Sequence, residues 1–583
     1  MRKLSINILC AFAWAALLVA PACSPPSDST TQEKIIIYQI FTRLFGSDNL
    51  NVIPDGPLSV NGVGKFEDFT PVALDSIRAM GITHIWYTGV IEHATIYSVD
   101  NYGGLQMNHP GVIKGKAGSP YAIKDYYDVN AYLSTSVERR IEEFEELVAR
   151  THEAEMKVII DFVPNHVARG YHSDMAPEAV EDLGANDDVE VAFSPNNNFY
   201  YIPGETLTPQ FSTADDCEPY VEYPAKVTGN DVFSASPNHN DWYETVKLNY
   251  GIDYLDSRKS YFDPIPDTWL KMRDILIYWA AKGVDGFRCD MAEMTPCEFW
   301  GWAIDSVKEI FPDVIFIAEI YNPEAYATYI NDGGFDYLYD KVGLYDTLKG
   351  VVQGRVPSSA ITQSRAAIAP VQQHMLNFLE NHDEQRIAWH EFAGSAKAGI
   401  PMMLVSTLSD NIPMMIYFGQ ELGEESAEAT GYSAADGRTT IFDFWTMPLY
   451  QTWRNGGKFD GKQLDEQTKT LRRQYIDLLQ LAQHPLFIDG RFVDLTEYNS
   501  KSSSRVYAFA RRLDRDAAIV VSNLSSESVI TTYSLPSELS AMKMSKILFN
   551  SEDLPKESPK LSETGDLLLT LSPHQALVIE LKL

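Results

Sequence analysis

The chain has 583 residues, a formal net charge of −33 and an aromatic content of 12%. This length exceeds what one small domain needs, so we expect a large core accompanied by one or two smaller domains. Nucleic acids and anionic membrane surfaces are bound through basic residues, so the strong acidity excludes both as partners. Aromatic rings pack against sugars but also fill protein cores, so this aromatic content alone favours no ligand.

The N-terminal segment has the pattern of an export signal. Two basic residues precede an apolar run, Ile8–Ala20, which is too short to span a bilayer as a helix. Residues 20–22 (APA) form a small-residue cleavage site, and Cys23 follows at once, which resembles a bacterial lipoprotein signal with Ala20 where Leu is usual. We therefore predict a signal peptide over residues 1–22, a lipid anchor at Cys23 and a tether over residues 23–34. The protein would be exported and held at the cell envelope by lipid; ordinary secretion with an incidental cysteine is the alternative.

Short apolar runs alternate with amphipathic helical stretches from residue 35 to residue 484, which is typical of a parallel α/β sheet. Eight such runs predict a (β/α)8 TIM barrel, with helices that include residues 137–154, 267–282 and 466–482. The connection after the third run is unusually long and predicts an inserted domain at about residues 167–263. The eight predicted strands are Ile35–Phe41, Thr83–Thr88, Lys157–Phe162, Val284–Asp290, Val314–Ile320, Phe335–Tyr339, His374–Asn381 and Pro413–Phe418.

The pattern changes after about residue 485. The remaining residues, 485–583, read as short strands with polar turns, which predicts a C-terminal all-β domain of the β-sandwich type. The predicted strands there are Val506–Arg511, Ala517–Asn523, Val529–Ser534, Lys546–Asn550 and Leu567–Leu583.

Four of the predicted barrel strands end in polar residues. These ends read DFVPNH (residues 161–166), GFRCD (286–290), IFIAE (315–319) and FLENHD (378–383), and each supplies at least one carboxylate. The carboxyl ends of barrel strands meet at one rim, where TIM-barrel enzymes carry their active sites. Carboxylates crowded on one rim repel each other unless they have a chemical task or hold a cation, so this rim is the candidate site.

Two of these carboxylates suit glycoside hydrolysis with retention of configuration. That reaction needs one ionised carboxylate to attack the anomeric carbon and a second, protonated one to donate to the leaving oxygen. Arg288 and Asp290 lie two apart on one strand and point to the same side, so we expect the guanidinium to align Asp290 and lower its pKa. Glu319 emerges from an apolar strand, and apolar surroundings favour the protonated form that a general acid needs.

The four motifs, in this order and spacing, resemble the conserved regions of the alpha-amylase family, glycoside hydrolase family 13, over nearly the whole chain from residue 35 onward. The resemblance implies that Asp290 is the nucleophile, Glu319 the acid/base and Asp383 the stabiliser of the transition state. It further implies that Arg288 orients the nucleophile and that Asp161 is a structural aspartate. His166 and His382 would hydrogen-bond the reacting sugar, and Tyr121, in PYAIKDYYDVN, would stack on it.

The chain departs from the family pattern at a calcium site and at a specificity motif. Family members often carry a Lys-His pair after the nucleophile, where this chain has Glu293 and Met294. The His commonly serves calcium, so the usual calcium site is altered even though Asn165 matches another common ligand; bracing the loop is the alternative role for Asn165. The short motif KLNYG (residues 247–251) retains only the Leu-Asn of the commoner form. No other cofactor is implied.

The sequence therefore predicts a retaining glycosidase that acts on α-linked glucans, with an oligo- or polysaccharide as its partner. A transglycosylase or glucanotransferase would use the same residues and pass the sugar to another sugar instead of water. A non-catalytic glycan-binding protein is the third hypothesis, and the presence of every expected catalytic position disfavours it. Linkage, chain length and oligomeric state are left open.

Overall fold

The protein is described from a computed structural model that covers residues 33–96, 108–211, 218–499, 504–552 and 557–583. The predicted signal peptide, Cys23 and most of the predicted tether lie outside these residues. The end of the tether prediction needs correction, because Lys34 is buried and its Nζ donates to the backbone oxygen of Asp410 at 2.6 Å. The fold therefore already includes Lys34.

Eight parallel strands close into a barrel, which confirms the predicted TIM fold. They are buried on both faces, as expected for near-continuous apolar runs. In chain order they are β1 (Ile36–Phe41), β2 (His84–Thr88), β3 (Lys157–Phe162), β4 (Gly286–Cys289), β5 (Ile315–Ala318), β6 (Tyr337–Tyr339), β7 (Met375–Phe378) and β8 (Met414–Tyr417).

Helices surround the barrel. In chain order, the helix or helices after each strand are Pro71–Arg78, Arg140–Glu153, Asp267–Ala281, Cys297–Lys308, Tyr326–Asn331, Asp346–Val352 with Ser359–Ala367, Gly399–Leu408, and Glu466–Ala482. Shorter helices are Thr42–Phe45, Leu58–Asn61, Pro448–Arg454, Pro485–Ile488 and Ser537–Ser540. No helix within the described ranges combines the length and apolar character that a membrane span requires.

Two connections carry extra structure above the rim. The connection after β2 holds an antiparallel pair of strands, Ile91–His93 and Ile123–Val129, which the sequence analysis does not predict. The third connection is the predicted insertion, built from very short strands: His166–Ala168 pairs with Thr245–Lys247, Tyr201–Ile202 with Ala225–Lys226, and Ile252–Asp253 with Lys259–Ser260. Because His166 directly follows the third-strand motif, the first of these pairs ties the insertion to the site.

Two antiparallel sheets form the C-terminal domain, which confirms the all-β prediction. The predicted single strand Leu567–Leu583 is wrong: it is two strands, divided where Pro573 lacks a backbone donor and His574 adopts a positive φ of 53°. The strands are β9 (Arg491–Asp494), β10 (Val506–Leu513), β11 (Asp516–Asn523), β12 (Val529–Ser534), β13 (Lys543–Asn550), β14 (Lys560–Leu561), β15 (Asp566–Leu571) and β16 (Ala576–Lys582).

Strand alternation in β11 explains how this domain attaches to the barrel. Ile519 and Val521 face the smaller sheet of β12, β14 and β15 and share a core with it, whereas Ala518 and Val520 join the core of the barrel. The helix Gly399–Leu408 is buried along its whole length and packs against β11. The barrel and the C-terminal domain therefore share one continuous apolar interface.

Candidate active site

The polar strand ends meet around one cavity of about 250 Å³ at the carboxyl rim of the barrel. Five of the predicted site residues line it: Tyr121, His166, Asp290, Glu319 and Asp383. Residues that were not predicted complete the wall, among them Lys114, Trp242, Tyr321 and Phe442. Arg288, His382 and Asp161 lie behind this wall and contact residues that form it. The cavity thus unites the third, fourth, fifth and seventh strand ends, as the sequence predicted.

Arg288 is the electrostatic centre of the site. It is fully buried on β4, in register with Asp161 on β3. One guanidinium nitrogen donates to Asp290 Oδ1 at 2.7 Å and lies 3.5 Å from Asp161, and the other lies 2.8 Å from Glu319 Oε2. Its Nε donates to the Tyr339 hydroxyl at 3.1 Å. A single cation therefore holds three carboxylates in one arrangement.

The expected lowering of the Asp290 pKa is wrong. Burial raises the pKa of Asp290 well above its usual range, Glu319 raises it further, and Arg288 counteracts only part of this effect. Burial is the main physical reason, and Arg288 does not offset it because its one positive charge faces several carboxylates. Asp290 therefore keeps its proton to a higher pH than an exposed aspartate does.

Glu319 is held at both carboxylate oxygens. The Tyr321 hydroxyl donates to Oε1 at 2.6 Å, and the backbone N–H of Met291 donates to Oε2 at 2.8 Å. Burial and the Glu319 charge both raise the pKa of Tyr321, so this hydroxyl keeps its proton and stays a donor. The acidic side chain is therefore fixed in position, although it faces the cavity.

His382 and Asp383 form a polar pair at the end of the seventh strand. Gln39 Nε2 on β1 lies 2.8 Å from His382 Nδ1, and His382 Nε2 on the other side of the ring lies 3.0 Å from Asp383 Oδ2. Burial opposes ionisation of Asp383, but His382, Arg288 and Arg438 outweigh it and lower the pKa of Asp383 to about 2. About a third of this side chain is exposed, so an ionised carboxylate faces the cavity.

Asp161 and Tyr121 support the pair from behind. Asp161 accepts hydrogen bonds from Trp86 Nε1 at 3.0 Å and from the Tyr121 hydroxyl at 3.3 Å. The Tyr121 hydroxyl also hydrogen-bonds His382 Nε2, and the two rings stack at 5.2 Å. These contacts suit the structural role predicted for Asp161, and they leave Tyr121 as a wall of the cavity.

His166 lies where the inserted segment meets the barrel. Its ring packs against Trp242 at 5.2 Å, and burial, followed by the charges of Lys247 and Lys114, lowers the pKa of His166 to about 3. The imidazole is therefore neutral throughout the working range of most enzymes. A neutral ring offers one donor and one acceptor, which suits hydrogen bonds to sugar hydroxyls.

The environment of Asn165 does not fit the calcium ion that the family pattern implies. Its carboxamide oxygen accepts a hydrogen bond from Lys247 Nζ at 2.7 Å, and the same ammonium lies 2.6 Å from Asp231 Oδ1. A divalent cation placed between these oxygens would overlap and repel a lysine charge. These contacts suit the second of the two roles predicted for Asn165, which is to brace the loop.

Several supporting residues escaped the sequence analysis. Gln39 and Tyr339 belong to barrel strands in which the sequence analysis predicts no site residue, and Trp242 lies in a part of the insertion without regular pattern. Tyr321 had a usable signal, because it lies two positions after Glu319 and its side chain can reach the same face.

Comparison with known families and proteins agrees with this geometry. The alpha amylase catalytic-domain family matches residues 39–440. Alpha-amylase 3 of Dictyoglomus thermophilum is 22% identical over 516 residues, which cover 84% of this chain and 84% of the relative. A cyclomaltodextrin glucanotransferase of a Bacillus species is 23% identical over 445 residues, covering 72% of this chain and 54% of that protein.

Among solved structures, a debranching enzyme from Nostoc punctiforme shares the fold with a TM-score of 0.61 and 18% identity, over 94% of this chain and 99% of that one. The family match spans more than half of the chain and contains all four polar strand ends. This chain belongs to the alpha-amylase family, glycoside hydrolase family 13.

Proposed function

We propose that the protein is a retaining glycoside hydrolase that cleaves α-linked glucans through a covalent glycosyl-enzyme. The observation that carries this proposal is the placement of Asp290 and Glu319 on the two nitrogens of one buried guanidinium, at the wall of a sugar-sized cavity. Two carboxylates held this close together supply both the nucleophile and the general acid that retention requires.

In the first step, an Asp290 carboxylate oxygen attacks the anomeric carbon. The bond to the leaving sugar breaks, and its oxygen takes the proton from Glu319. Glu319, now ionised, accepts a proton from a water molecule, whose oxygen attacks the anomeric carbon and releases Asp290. Tyr321 and the Met291 N–H hold Glu319 in place for both steps.

The remaining residues bind and stabilise the sugar. The ionised Asp383 stabilises positive charge that develops on the ring at the transition state, and His382 orients it. His166 hydrogen-bonds a hydroxyl, and the rings of Tyr121 and Trp242 supply apolar surface for the sugar faces.

Hydrolysis and sugar transfer share this first step and differ in the acceptor. The relatives include proteins named alpha-amylase and cyclomaltodextrin glucanotransferase, so transfer is the second candidate. The test is product analysis on a panel of α-glucans, with and without an added acceptor sugar, combined with NMR of the first anomer released. Hydrolysis with retention gives α-configured reducing ends, and transfer gives products in which the sugar is joined to the added acceptor. An inverted first anomer overturns the covalent mechanism.

The N-terminal pattern supports a second proposal, export followed by lipid attachment at Cys23. The enzyme would then act at the cell envelope while tethered through the residues that follow Cys23. Mass spectrometry of the mature N-terminus tests this directly, because a lipidated cysteine has a characteristic mass increment.

A further inference from the structure

Lys247 lies buried at the junction of the barrel with the inserted segment. It ends the short strand Thr245–Lys247 and pairs in register with His166 across that two-stranded sheet. Only 2% of its side chain is exposed, although lysine is rarely buried without a partner. A buried lysine directly opposite a cavity-lining histidine calls for a physical explanation.

The surroundings of the ammonium group are those of a cation site. Nζ donates to Asn165 Oδ1 at 2.7 Å, lies 2.6 Å from Asp231 Oδ1 and lies 5.5 Å from the centre of the Tyr254 ring. A carboxamide oxygen and a carboxylate are ligands that hard cations use. Both distances suit an N–H donor, so the lysine itself supplies the charge.

The same contacts reach the cavity through Asn165. While Oδ1 is held by Lys247, the Asn165 amide nitrogen donates to the Gly229 oxygen at 2.8 Å and lies 3.1 Å from His166 Nδ1. The turn at Gly229 closes tightly on the histidine, since a Cβ there would lie 3.0 Å from His166 Cβ. Lys247 thus fixes the carboxamide that orients both the turn and the ring.

We infer that the Lys247 ammonium is a built-in replacement for a metal ion: a positioning residue that joins the insertion to the barrel and sets the orientation of His166. The protein therefore needs no metal at Asn165. The role of Lys247 is to position Asn165 and His166, and thermal stability measures this role without depending on the proposed substrate.

The test compares wild type with Lys247→Ala, and with Lys226→Ala as a matched control. Lys226 is a lysine of the same segment whose ammonium lies over the Phe199 ring at 5.1 Å. For each protein, Tm and the kinetics on a maltooligosaccharide are measured in EDTA, in millimolar calcium, in propylammonium and in propanol.

We expect Asn165→Ala to leave unchanged any difference in Tm between EDTA and calcium, because no metal binds at Asn165. Lys247→Ala should lower Tm and reduce kcat/KM by about 10- to 100-fold, as for residues that orient a site residue from behind. Calcium or propylammonium should restore part of both losses, because either places a cation between Asn165 and Asp231. Neutral propanol should restore neither, and Lys226→Ala should show no cation-specific rescue.

Two outcomes overturn the inference. One is a folded Lys247→Ala protein that neither cation improves more than propanol does, since the charge would then be dispensable. The other is a wild-type Tm that falls in EDTA by an amount that Asn165→Ala abolishes, since a metal would then bind at Asn165. Because the Tm comparison involves no substrate, a failure here is distinguishable from a failure of the proposed hydrolysis.

Discussion

Replacing Arg288 by Gln should move the acidic limb of the pH–activity profile to higher pH. The substitution keeps a planar donor but removes the charge that contacts Asp290 at 2.7 Å and Glu319 at 2.8 Å. The nucleophile must be ionised to attack, so activity rises with pH as Asp290 loses its proton. Without the cation Asp290 holds its proton more strongly, and the rise must occur at higher pH.

The size of the shift follows from Coulomb's law. Unit charges about 4 Å apart interact by about 4 kcal/mol at an effective dielectric constant of about 20. Since one pKa unit corresponds to about 1.4 kcal/mol, the loss of Arg288 should raise the apparent pKa by about 2–3 units. Removing one member of a buried ion cluster also costs about 3–5 kcal/mol of folding stability, so assays must be run well below the Tm of the variant.

The assay is kcat/KM against pH for an α-glucosyl fluoride, whose leaving group departs without an acid catalyst. The acidic limb then reports ionisation of the nucleophile and not the protonation state of Glu319. Arg288→Lys retains the charge and should keep the limb near its wild-type position while lowering kcat through poorer geometry. Arg438→Gln is the control for loss of a nearby charge, because Arg438 is 39% exposed and acts on Asp383, whereas Arg288 is the arginine that acts on Asp290.

One result would refute this reasoning. If Arg288→Gln is folded and slower but its acidic limb coincides with that of wild type, Arg288 aligns Asp290 without controlling its charge. The coupling of Asp290, Glu319 and Arg288 would then be structural only.

Three further changes test the individual roles. Asp290→Asn keeps the side-chain shape and should reduce activity by several orders of magnitude for every substrate, which steady-state kinetics would show; near-normal turnover would contradict the nucleophile assignment. Glu319→Ala should nearly abolish cleavage of maltooligosaccharides yet still release a burst of fluoride from an α-glucosyl fluoride. Azide should then restart its turnover, and an equal response of an Asp290→Ala protein would show that the two roles are wrongly assigned. Cys23→Ala should move the protein from the membrane fraction to the soluble fraction, and a wild-type protein that is already soluble and free of lipid would contradict the anchor.

The barrel and its acidic motifs could be predicted because each depends on a local pattern. A strand that is buried on both faces needs a continuous apolar run, and the run must end where the chain turns polar at the rim. Val314–Ile320 was predicted from its sequence and forms a strand over Ile315–Ala318, with Glu319 next at the rim. The antiparallel pair Ile91–His93 and Ile123–Val129 has no comparable local pattern, because its two strands are far apart in the chain.

Electrostatics could be predicted only in part. The sequence places Arg288 and Asp290 on the same face of one strand, and the structure brings them to 2.7 Å. The sequence does not indicate that Glu319, which follows the next strand, lies beside the second nitrogen of the same guanidinium. Burial, together with that sharing, reverses the expected direction of the Asp290 pKa shift. A pKa depends on all neighbours in space, and only one of them was a neighbour in sequence.

The sequence pattern predicts little of the structure of the inserted segment, although this segment brings Trp242 and Lys247 to the site. The chemistry depends on the barrel rim, whose motifs are shared with the family, and the rim alone does not distinguish one α-glucan from another. Trp242 and Lys247 reach the site through the pairing of Thr245–Lys247 with His166–Ala168, a contact between residues about 80 positions apart. Trp242 supplies a ring at the cavity wall, and Lys247 supplies a positive charge where a metal ion would otherwise be needed. Substitutions in this segment should therefore change substrate preference and stability while leaving the stereochemical course set by Asp290 and Glu319 unchanged.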